Sequence, residues 1–478
     1  MKVGDEDGDE DDDERVVAME TSEIEALRGP VDGDVIAPGD PEYGKAREIW
    51  NAMIDREPAV VVRPQNADDV AAAIAFAREH DLPLAVSGGG HNVAGNAVVD
   101  DGLVIDFSDM RAVEVDPDRG IARVEAGALL SDLDAAVAEH GLLVPGGIVS
   151  TTGVAGLTLG GGFGWASRKL GLTIDSLRSA EVVTADGEQI TASEDSHPDL
   201  FWAIRGGGGN FGVVTSFEFE THEVGPDVLC GMIVYPLDSA REVLRHHQEM
   251  TAKAPEELSA WVVMRLAPPL PFLPEEVHGL PVVVIAFVYL GDPEEGEALV
   301  NERYAEFGEP YGKNIGVMPY ADWQQGFDPL NPEGDRNYWK SHNLAELSDP
   351  AIEALVAAAE SLPSPQAEVF IAHLGGAIAQ VPADQTAYAH RDAEFVVNIH
   401  GHWTEPGEDE AGVAWVRGLF DSLTPHATGG TYVNFLSDEG AERVRDAYSP
   451  AVWSRLVEVK RRYDPENVFR LNQNIPPD

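Results

Sequence analysis

Residues 85–95 read Ala85-Val86-Ser87-Gly88-Gly89-Gly90-His91-Asn92-Val93-Ala94-Gly95, a glycine triplet that runs into a histidine. Consecutive glycines can take positive φ and turn successive N–H groups toward one point, where they form an anion-binding nest. The apolar run 82–86 predicts a buried strand, so the loop leaves the end of a strand. Such a loop suits a pyrophosphate. A glycine cluster after a strand can also be a tight turn, and His91 can be an ordinary loop residue.

The chain is long and strongly acidic. Its 478 residues suggest two or three domains, and 44% of them are hydrophobic, as is usual for a globular protein. There are 84 acidic and 32 basic residues, giving a formal net charge of −52. This charge repels phosphate polymers, so neither nucleic acid nor an anionic membrane is expected as a partner. The composition resembles that of proteins from salt-accumulating microbes, and it predicts a halophilic protein whose stability depends on salt.

Cysteine usage and the N-terminus narrow the class of protein further. Cys230 is the only cysteine, which excludes an internal disulfide and a CxxC redox or zinc site. It lies in the apolar run 228–235 and is interpreted as a core residue. No stretch of about 20 apolar residues predicts a membrane span. Residues 1–14 are acidic and lack the basic and apolar regions of a signal peptide. We therefore expect residues 1–40 to be a disordered acidic tail on a cytoplasmic protein.

Strands and helices alternate through the first third of the chain. Residues 59–63 predict a buried strand ended by Pro64, and Asn66 is a suitable N-cap for a helix over 67–80. The pattern predicts a mixed α/β layer structure. Further predicted elements are a strand at 103–106, a hairpin of 112–115 with 122–126, and a helix over 130–140.

Two more glycine-rich regions follow. In residues 145–164, glycines alternate with apolar residues, which is unlike a polar flexible linker. This pattern predicts a surface shaped to fit around a large, flat group. Ser167-Arg168-Lys169 adds a positive spot whose partner could be a phosphate or a carboxylate. Residues 206–212 contain a formal GxGxxG match, but an alternating strand follows rather than a helix, which excludes the nicotinamide-binding Rossmann motif. Residues 180–191 predict a hairpin with an Asp-Gly turn.

The character of the sequence changes after about residue 225. Residues 281–289, 368–373 and 394–399 predict strands, and residues 350–361 predict a helix. Strands with helices between them indicate a separate α+β domain. No HExxH or acidic metal-binding loop is present, so no metal site is expected.

In combination, several of these motifs carry a specific resemblance. They are Arg63-Pro64, 87–91, 153–164 with 167–169, 199–208 and 212–215. Over about residues 57–222 and again at the C-terminus, the chain resembles the FAD-linked oxidoreductases of the berberine-bridge-enzyme and 6-hydroxynicotine-oxidase type. The resemblance implies an α+β, two-domain PCMH-type FAD-binding fold with a substrate domain of antiparallel sheet plus helices. The implied parts are an FAD-binding domain over 41–225, a substrate-binding domain over 226–428 and a C-terminal return to the FAD domain over 429–478.

The resemblance also implies how FAD is held. His91 matches the histidine that is bonded to the 8α carbon of the flavin ring, and such a bond retains the cofactor and raises its reduction potential. Several relatives add a cysteine bond, but that position is Val149 here, so one covalent bond is expected. The implied cofactor-binding residues are Ser87, Gly88, Gly89, Gly90, His91, Asn92, Gly95, Gly146, Thr152, Gly153, Gly156, Gly161, Gly162, Phe163, Val214, Asn434 and Gln473.

Tyr432 is the implied catalytic residue. Tyr432-Val433-Asn434 resembles the YxN motif, whose tyrosine helps to deprotonate the substrate hydroxyl in some relatives, and 463–473 resembles the closing motif. A phenol titrates near pH 10, so a tyrosine base needs positive charge or a proton relay to act at neutral pH. The alternative is a packed aromatic residue with a satisfied hydroxyl. The second catalytic tyrosine of some plant relatives is Phe163 here.

Other residues could contribute to the substrate side. His373, His400 and His402 could substitute as bases, and the last two would share a face of a strand. The segments 375–378 and 386–391 resemble the part of the family's substrate-domain sheet that covers one face of the flavin ring.

The predicted function is an FAD-dependent oxidoreductase that removes a hydride from the CH–OH group of a sugar, alcohol or hydroxy acid. Oxygen or another acceptor would then take the electrons. The alternatives are an amine oxidase of the 6-hydroxynicotine-oxidase kind and a non-catalytic flavin-binding protein. Thr152 occupies a position that influences oxygen access in relatives, but its residue type does not decide between oxidase and dehydrogenase. Substrate identity and oligomeric state stay open.

Overall fold

The computed structural model describes residues 19–225, 227–304, 308–437 and 439–478. The first sheet has four strands: β1 (Asp34–Ile36), β2 (Val60–Arg63), β3 (Leu84–Ser87) and β4 (Leu103–Asp106). Their order is β1-β2-β4-β3, in which β2, β4 and β3 run parallel. Three helices accompany them: α1 (Thr21–Arg28), α2 (Tyr43–Ala46) and α3 (Ala67–Glu79). The side chain of Asn66 accepts a hydrogen bond from the N–H of Asp69, which confirms the predicted N-cap.

The prediction of a disordered tail over residues 1–40 is wrong for its second half. Ile24 and Leu27 of α1 are buried in the same core as Val35 of β1, and β1 pairs with β2. The Asp69 carboxylate accepts hydrogen bonds from the N–H groups of Asp32 and Gly33, at 2.8 and 3.1 Å. Apolar side chains at helical spacing thus attach this acidic segment to the sheet. Residues 1–18 lie outside the described residues.

A second sheet continues the same part of the chain. Its strands are β5 (Val113–Asp116), β6 (Ile121–Glu125), β8 (Leu177–Val183), β9 (Gln189–Ser193) and β10 (Val213–Glu220), while β7 (Leu142–Leu143) pairs separately with β11 (His222–Glu223). The sheet is antiparallel, in the order β5-β6-β10-β8-β9. Both predicted hairpins and the strand after the third glycine region are confirmed. The helices are α4 (Leu130–Ala138), α5 (Val154–Leu159), α6 (Ser167–Leu170) and α7 (Pro198–Ile204).

The third sheet belongs to the middle of the chain and is antiparallel, with the order β15-β12-β14-β13-β17-β18-β16. Its strands are β12 (Asp227–Pro236), β13 (Leu258–Leu266), β14 (Pro281–Tyr289), β15 (Gly312–Pro319), β16 (Arg336–Leu344), β17 (Glu368–His373) and β18 (Phe395–Trp403). The associated helices are α8 (Ala240–Thr251), α9 (Pro293–Tyr304), α10 (Tyr320–Gln325), α11 (Asp349–Ala359), α12 (Ala377–Gln380) and α13 (Asp409–Leu423). The chain continues through α14 (Ala441–Asp446) and α15 (Pro450–Tyr463).

The two faces of the seven-stranded sheet have different neighbours, because successive side chains of a strand point to opposite sides. One face forms an apolar core with α8, α9, α11 and α13. On the other face, Trp261 and Phe370 pack in one cluster with Phe163 and Trp165 of the first part of the chain. Cys230 is buried in this cluster, and burial raises the pKa of its thiol to about 12.

One expectation about the junction of these parts is wrong. The segments 375–378 and 386–391 are not strands of the sheet: α12 occupies 377–380, and the N–H of Ala387 donates to the carbonyl of Arg205 at 3.0 Å. Arg168 forms no ion pair with a carboxylate of the described residues, and a phosphate as its partner stays a prediction. Its guanidinium donates to the carbonyl oxygens of Leu258, at 2.8 Å, and Leu374. These residues therefore join the two parts of the chain.

Within the described residues, no helix is long and apolar enough to cross a membrane.

Candidate active site

A cavity lies between the glycine-rich regions, the C-terminal segment and the Trp261 and Phe370 face of the seven-stranded sheet. Tyr432, the predicted catalytic residue, is in its wall. The predicted cofactor-binding residues in the wall are Gly88, Gly89, Gly90, His91, Asn92, Thr152, Gly153, Gly156, Phe163, Val214, Asn434 and Gln473.

The glycines of the first two regions allow two loops to touch. A Cβ atom on Gly89 would lie 2.6 Å from the Cα atom of Gly153, and one on Gly88 would lie 2.8 Å from the carbonyl oxygen of Ala126. Gly90 has φ +66°, in the left-handed region. Among the described residues, no hydrogen bond takes up the main-chain N–H groups of residues 88–90. The loop therefore offers free donors at the cavity wall, as an anion-binding nest requires.

Five predicted cofactor-binding residues lie outside the described cavity wall, and their contact with the cofactor stays a prediction. The four glycines among them are packed against other parts of the chain. A Cβ atom on Gly95 would meet Ile54, and on Gly161 it would meet Tyr388. The full set is Ser87, Gly95, Gly146, Gly161 and Gly162.

His91 is held on two sides. Its Nε2 atom is hydrogen-bonded to the hydroxyl of Thr151 at 2.9 Å. Its ring stacks on Trp50, with centroids 4.7 Å apart and planes inclined by 17°. Burial lowers the pKa of His91 to about 4. The imidazole is therefore neutral near pH 7. Thr151 and Trp50 fix the orientation of the ring, and the hydrogen bond to Thr151 uses Nε2 rather than Nδ1.

Tyr432 is buried and lies in the same cavity wall as the glycine loop, although the two are far apart in the sequence. Its hydroxyl oxygen accepts hydrogen bonds from the N–H of Gly162 at 3.1 Å and from Nδ2 of Asn434 at 2.9 Å. Burial raises its pKa to about 12, while these two donors oppose the rise. Because the phenol oxygen already accepts two hydrogen bonds, the hydroxyl group can still donate its proton in a hydrogen bond to another group.

The seven-stranded sheet supplies a polar part of the wall. The Glu368 carboxylate is 2.6 Å from the Arg265 guanidinium and 3.5 Å from Nδ1 of His400. Burial raises the pKa of Glu368, but Arg265 and His400 outweigh it and bring the pKa down to about 2. His400 and His402 share one face, as predicted, with ring centroids 5.6 Å apart. His373 lies elsewhere, 3.0 Å from the Arg168 guanidinium.

A buried carboxyl lies behind the second glycine region. Asp134 of α4 is 3.4 Å from the side-chain amide of Gln324 of α10, which also donates to the carbonyl oxygen of Gly147 at 2.6 Å. Gly147 is itself in the cavity wall. Burial raises the pKa of Asp134 to about 7, although the hydrogen bond from Gln324 opposes the rise. The contact joins the two parts of the chain beneath the cavity.

Sequence reasoning did not assign several wall residues. The third glycine region was recognised, but Gly207, Gly208, Gly209 and Asn210 were not assigned to the site. The glycine-rich motif of residues 206–212 was the signal that could have identified them. Trp50, Trp339, Glu368 and Asn398 had no local signal, because strand pairing and loop packing bring them to the wall. Within the described residues, no group of acidic, histidine or cysteine side chains is arranged to hold a metal ion.

Comparison with known proteins agrees with this arrangement. A model of an FAD binding domain matches residues 58–193, and a model described as berberine and berberine like matches residues 431–476. The FAD-linked oxidoreductase YgaK of Bacillus subtilis is 35% identical, over 93% of this chain and 97% of its own. (R)-6-hydroxynicotine oxidase of Paenarthrobacter nicotinovorans is 31% identical, over 94% and 97%. The crystal structure of 6-hydroxy-D-nicotine oxidase from Arthrobacter nicotinovorans has a TM-score of 0.84 and 29% identity, covering 94% of this chain and 98% of that one.

Proposed function

Since the chain belongs to the FAD-linked oxidoreductases of the berberine-bridge-enzyme-like family, with their PCMH-type fold, we propose that His91 bonds covalently to FAD and that the enzyme oxidises a CH–OH group. The substrate would be a small sugar, alcohol or hydroxy acid. The observation that carries the proposal is the position of a neutral, oriented His91 at the end of the glycine nest, in the same cavity wall as Tyr432.

The described wall fits FAD in its charge and its shape. It contains no lysine or arginine, so the free N–H groups of residues 88–90 would hold the pyrophosphate. A Cβ atom on Gly156 would meet nothing within 4 Å, which leaves open space beside the point where Gly89 touches Gly153. The glycines therefore both bring the loops together and leave room for a ligand.

The geometry of His91 supports Nδ1 as the bonding atom. A covalent bond to carbon needs an unprotonated ring nitrogen with a free lone pair, and the lowered pKa of His91 provides a neutral ring. Thr151 engages Nε2, and Trp50 restricts rotation of the ring. Nδ1 is then the nitrogen available for the bond.

Bound FAD would accept the hydride from the substrate carbon. In our proposal Tyr432 takes the proton of the substrate hydroxyl in its ionised form, which the donors Gly162 and Asn434 stabilise. Because the pKa of Tyr432 is about 12, only a small fraction of the phenol is ionised at neutral pH. Proton transfer should therefore become faster as the pH rises.

Oxidation of a cyclic amine is the second candidate, since a 31% identical relative is named as a 6-hydroxynicotine oxidase. The test is anaerobic bleaching of the flavin by a panel of sugars, alcohols, hydroxy acids and amines in high salt. Bleaching by alcohols supports the proposal, and bleaching by amines alone favours the second candidate. A flavin that no compound bleaches indicates a binding protein. Admission of air afterwards shows whether oxygen restores the colour.

A further inference from the structure

Three strands place two rows of side chains on the cavity face of the seven-stranded sheet. Trp339, His400 and Glu368 lie opposite one another in one row across β16, β18 and β17. Asn398 and Phe370 occupy the adjacent row. All five are in the described cavity wall. The rows therefore form one continuous surface, which we call the polar wall.

The polar wall contains hydrogen-bonding groups that the chain does not satisfy. Asn398 is completely buried, and neither Oδ1 nor Nδ2 of its amide has a partner among the described residues. The indole N–H of Trp339 also has none. Buried amides are normally paired, because desolvation without a hydrogen bond is costly. Since these groups touch the cavity, a ligand in the cavity can supply the missing partners.

The polar wall carries little net charge. The Glu368 carboxylate is paired with the Arg265 guanidinium at 2.6 Å, so it can accept hydrogen bonds without requiring a cation. No lysine or arginine occurs in the described cavity wall, so a substrate carboxylate would find no such cation there to neutralise its charge. These features disfavour both an ammonium and a carboxylate ligand.

Phe370 of the polar wall belongs to a larger aromatic surface. Trp261 and Phe370 stack with their planes inclined by only 7°, and Phe435 lies against Phe370 at 5.9 Å between centroids. Binding sites of this kind combine apolar walls with a few oriented polar groups. The surface suits a molecule with an apolar ring face and several neutral hydroxyls at its edge.

We propose that the polar wall is the specificity site for a neutral polyhydroxylated substrate, that is, a sugar, with Asn398 and Trp339 pairing hydroxyls other than the one oxidised. Glu368 accepts a further hydroxyl. The inference rests on the proposed oxidation of a CH–OH group and narrows its substrate class, so that hydroxy acids and amines are excluded.

The experiment uses the FAD-loaded enzyme with glucose, cellobiose, lactate, 1-butanol and N-methylpyrrolidine. Dissociation constants come from quenching of tryptophan fluorescence, and KM and kcat from anaerobic flavin reduction. Asn398→Leu removes both hydrogen-bonding atoms, and Trp339→Phe removes one donor. Because one neutral hydrogen bond corresponds to about 2- to 10-fold in affinity, we expect Asn398→Leu, which loses two, to weaken sugar binding about 4- to 100-fold and Trp339→Phe about 2- to 10-fold. Neither should change butanol binding.

Two matched controls lie outside the described cavity wall. Asn343 of β16 has an equally buried amide without a partner in the described part of the chain, and Asn343→Leu should leave sugar binding unchanged. The indole N–H of Trp415 donates to the carbonyl of Ala358, at the helix-covered face, and Trp415→Phe is the control for Trp339→Phe. Far-ultraviolet circular dichroism and flavin content verify folding.

The outcomes separate this inference from the proposed function. Tighter binding of lactate or N-methylpyrrolidine than of both sugars overturns the inference, as does equal sugar binding by wild type, Asn398→Leu and Trp339→Phe. A changed flavin spectrum with unchanged sugar binding would reassign Asn398 to FAD contact. If no compound reduces the flavin, the proposed function fails, but fluorescence quenching still decides whether the polar wall binds sugar.

Discussion

Replacing Asp134 by asparagine should stabilise the protein increasingly as the pH rises. Burial raises the pKa of Asp134 to about 7 in the folded chain, compared with 3.8 for an ordinary aspartate. Between these values the folded state binds more protons than the unfolded state, so its free energy of unfolding decreases with pH. About three pH units at about 1.4 kcal/mol each correspond to a loss of about 4 kcal/mol, complete above pH 7. The asparagine side chain does not titrate, so the variant escapes this loss.

The assay is urea unfolding of wild type and Asp134→Asn, followed by tryptophan fluorescence at constant salt. Measurements between about pH 5.5 and pH 8.5 avoid the isoelectric point near 4.4. Over this range the difference in unfolding free energy should grow by about 2 kcal/mol in favour of the variant. Asp322→Asn, at an exposed position of α10, is the matched control. Parallel curves for Asp134→Asn and wild type would refute the reasoning, because they would mean that Asp134 is ionised throughout.

Three further predictions concern Tyr432 as the catalytic base, the net charge of the chain and the thiol of Cys230. Tyr432→Phe should retain FAD but slow anaerobic flavin reduction by about 10²- to 10⁴-fold in stopped-flow experiments, and the wild-type rate should rise with pH between about 7 and 10; an unchanged rate would remove Tyr432 as the base. The net charge of −52 predicts a higher thermal midpoint in about 2 M KCl than in about 0.1 M KCl, whereas equal midpoints would count against a halophilic protein. Cys230 is buried and its pKa is raised to about 12, so Ellman's reagent should label it only after unfolding; rapid labelling of the native protein would contradict its place in the core.

Part of the site was predictable because some positions in it require a particular type of residue. Gly89 and Gly153 are required where two loops touch, and such glycine clusters are visible in the sequence before any fold is known. Asn66 likewise predicts the start of α3, because its side chain can cap the first turn of a helix. The resemblance then linked His91 and Tyr432, which no spacing rule connects.

Features that depend on distant packing were missed. Glu368 and His400 meet only through the register of β17 and β18, and Trp50 reaches His91 through loop packing. The close approach of Gly161 to Tyr388 likewise depends on packing between distant segments. The acidic composition of residues 19–40 concealed the buried side chains of α1, because average charge does not show which face of a helix is apolar.

The covalent attachment of FAD to His91 is the central claim, and the mass of the acid-denatured enzyme tests it most directly. We predict that the denatured chain carries the added mass of one FAD, that the yellow colour remains in the acid precipitate, and that peptide mapping places the flavin on His91. The variant His91→Ala should release its FAD into the supernatant. A wild-type chain without added mass, or a His91→Ala chain that keeps its flavin equally acid-resistant, would contradict the account.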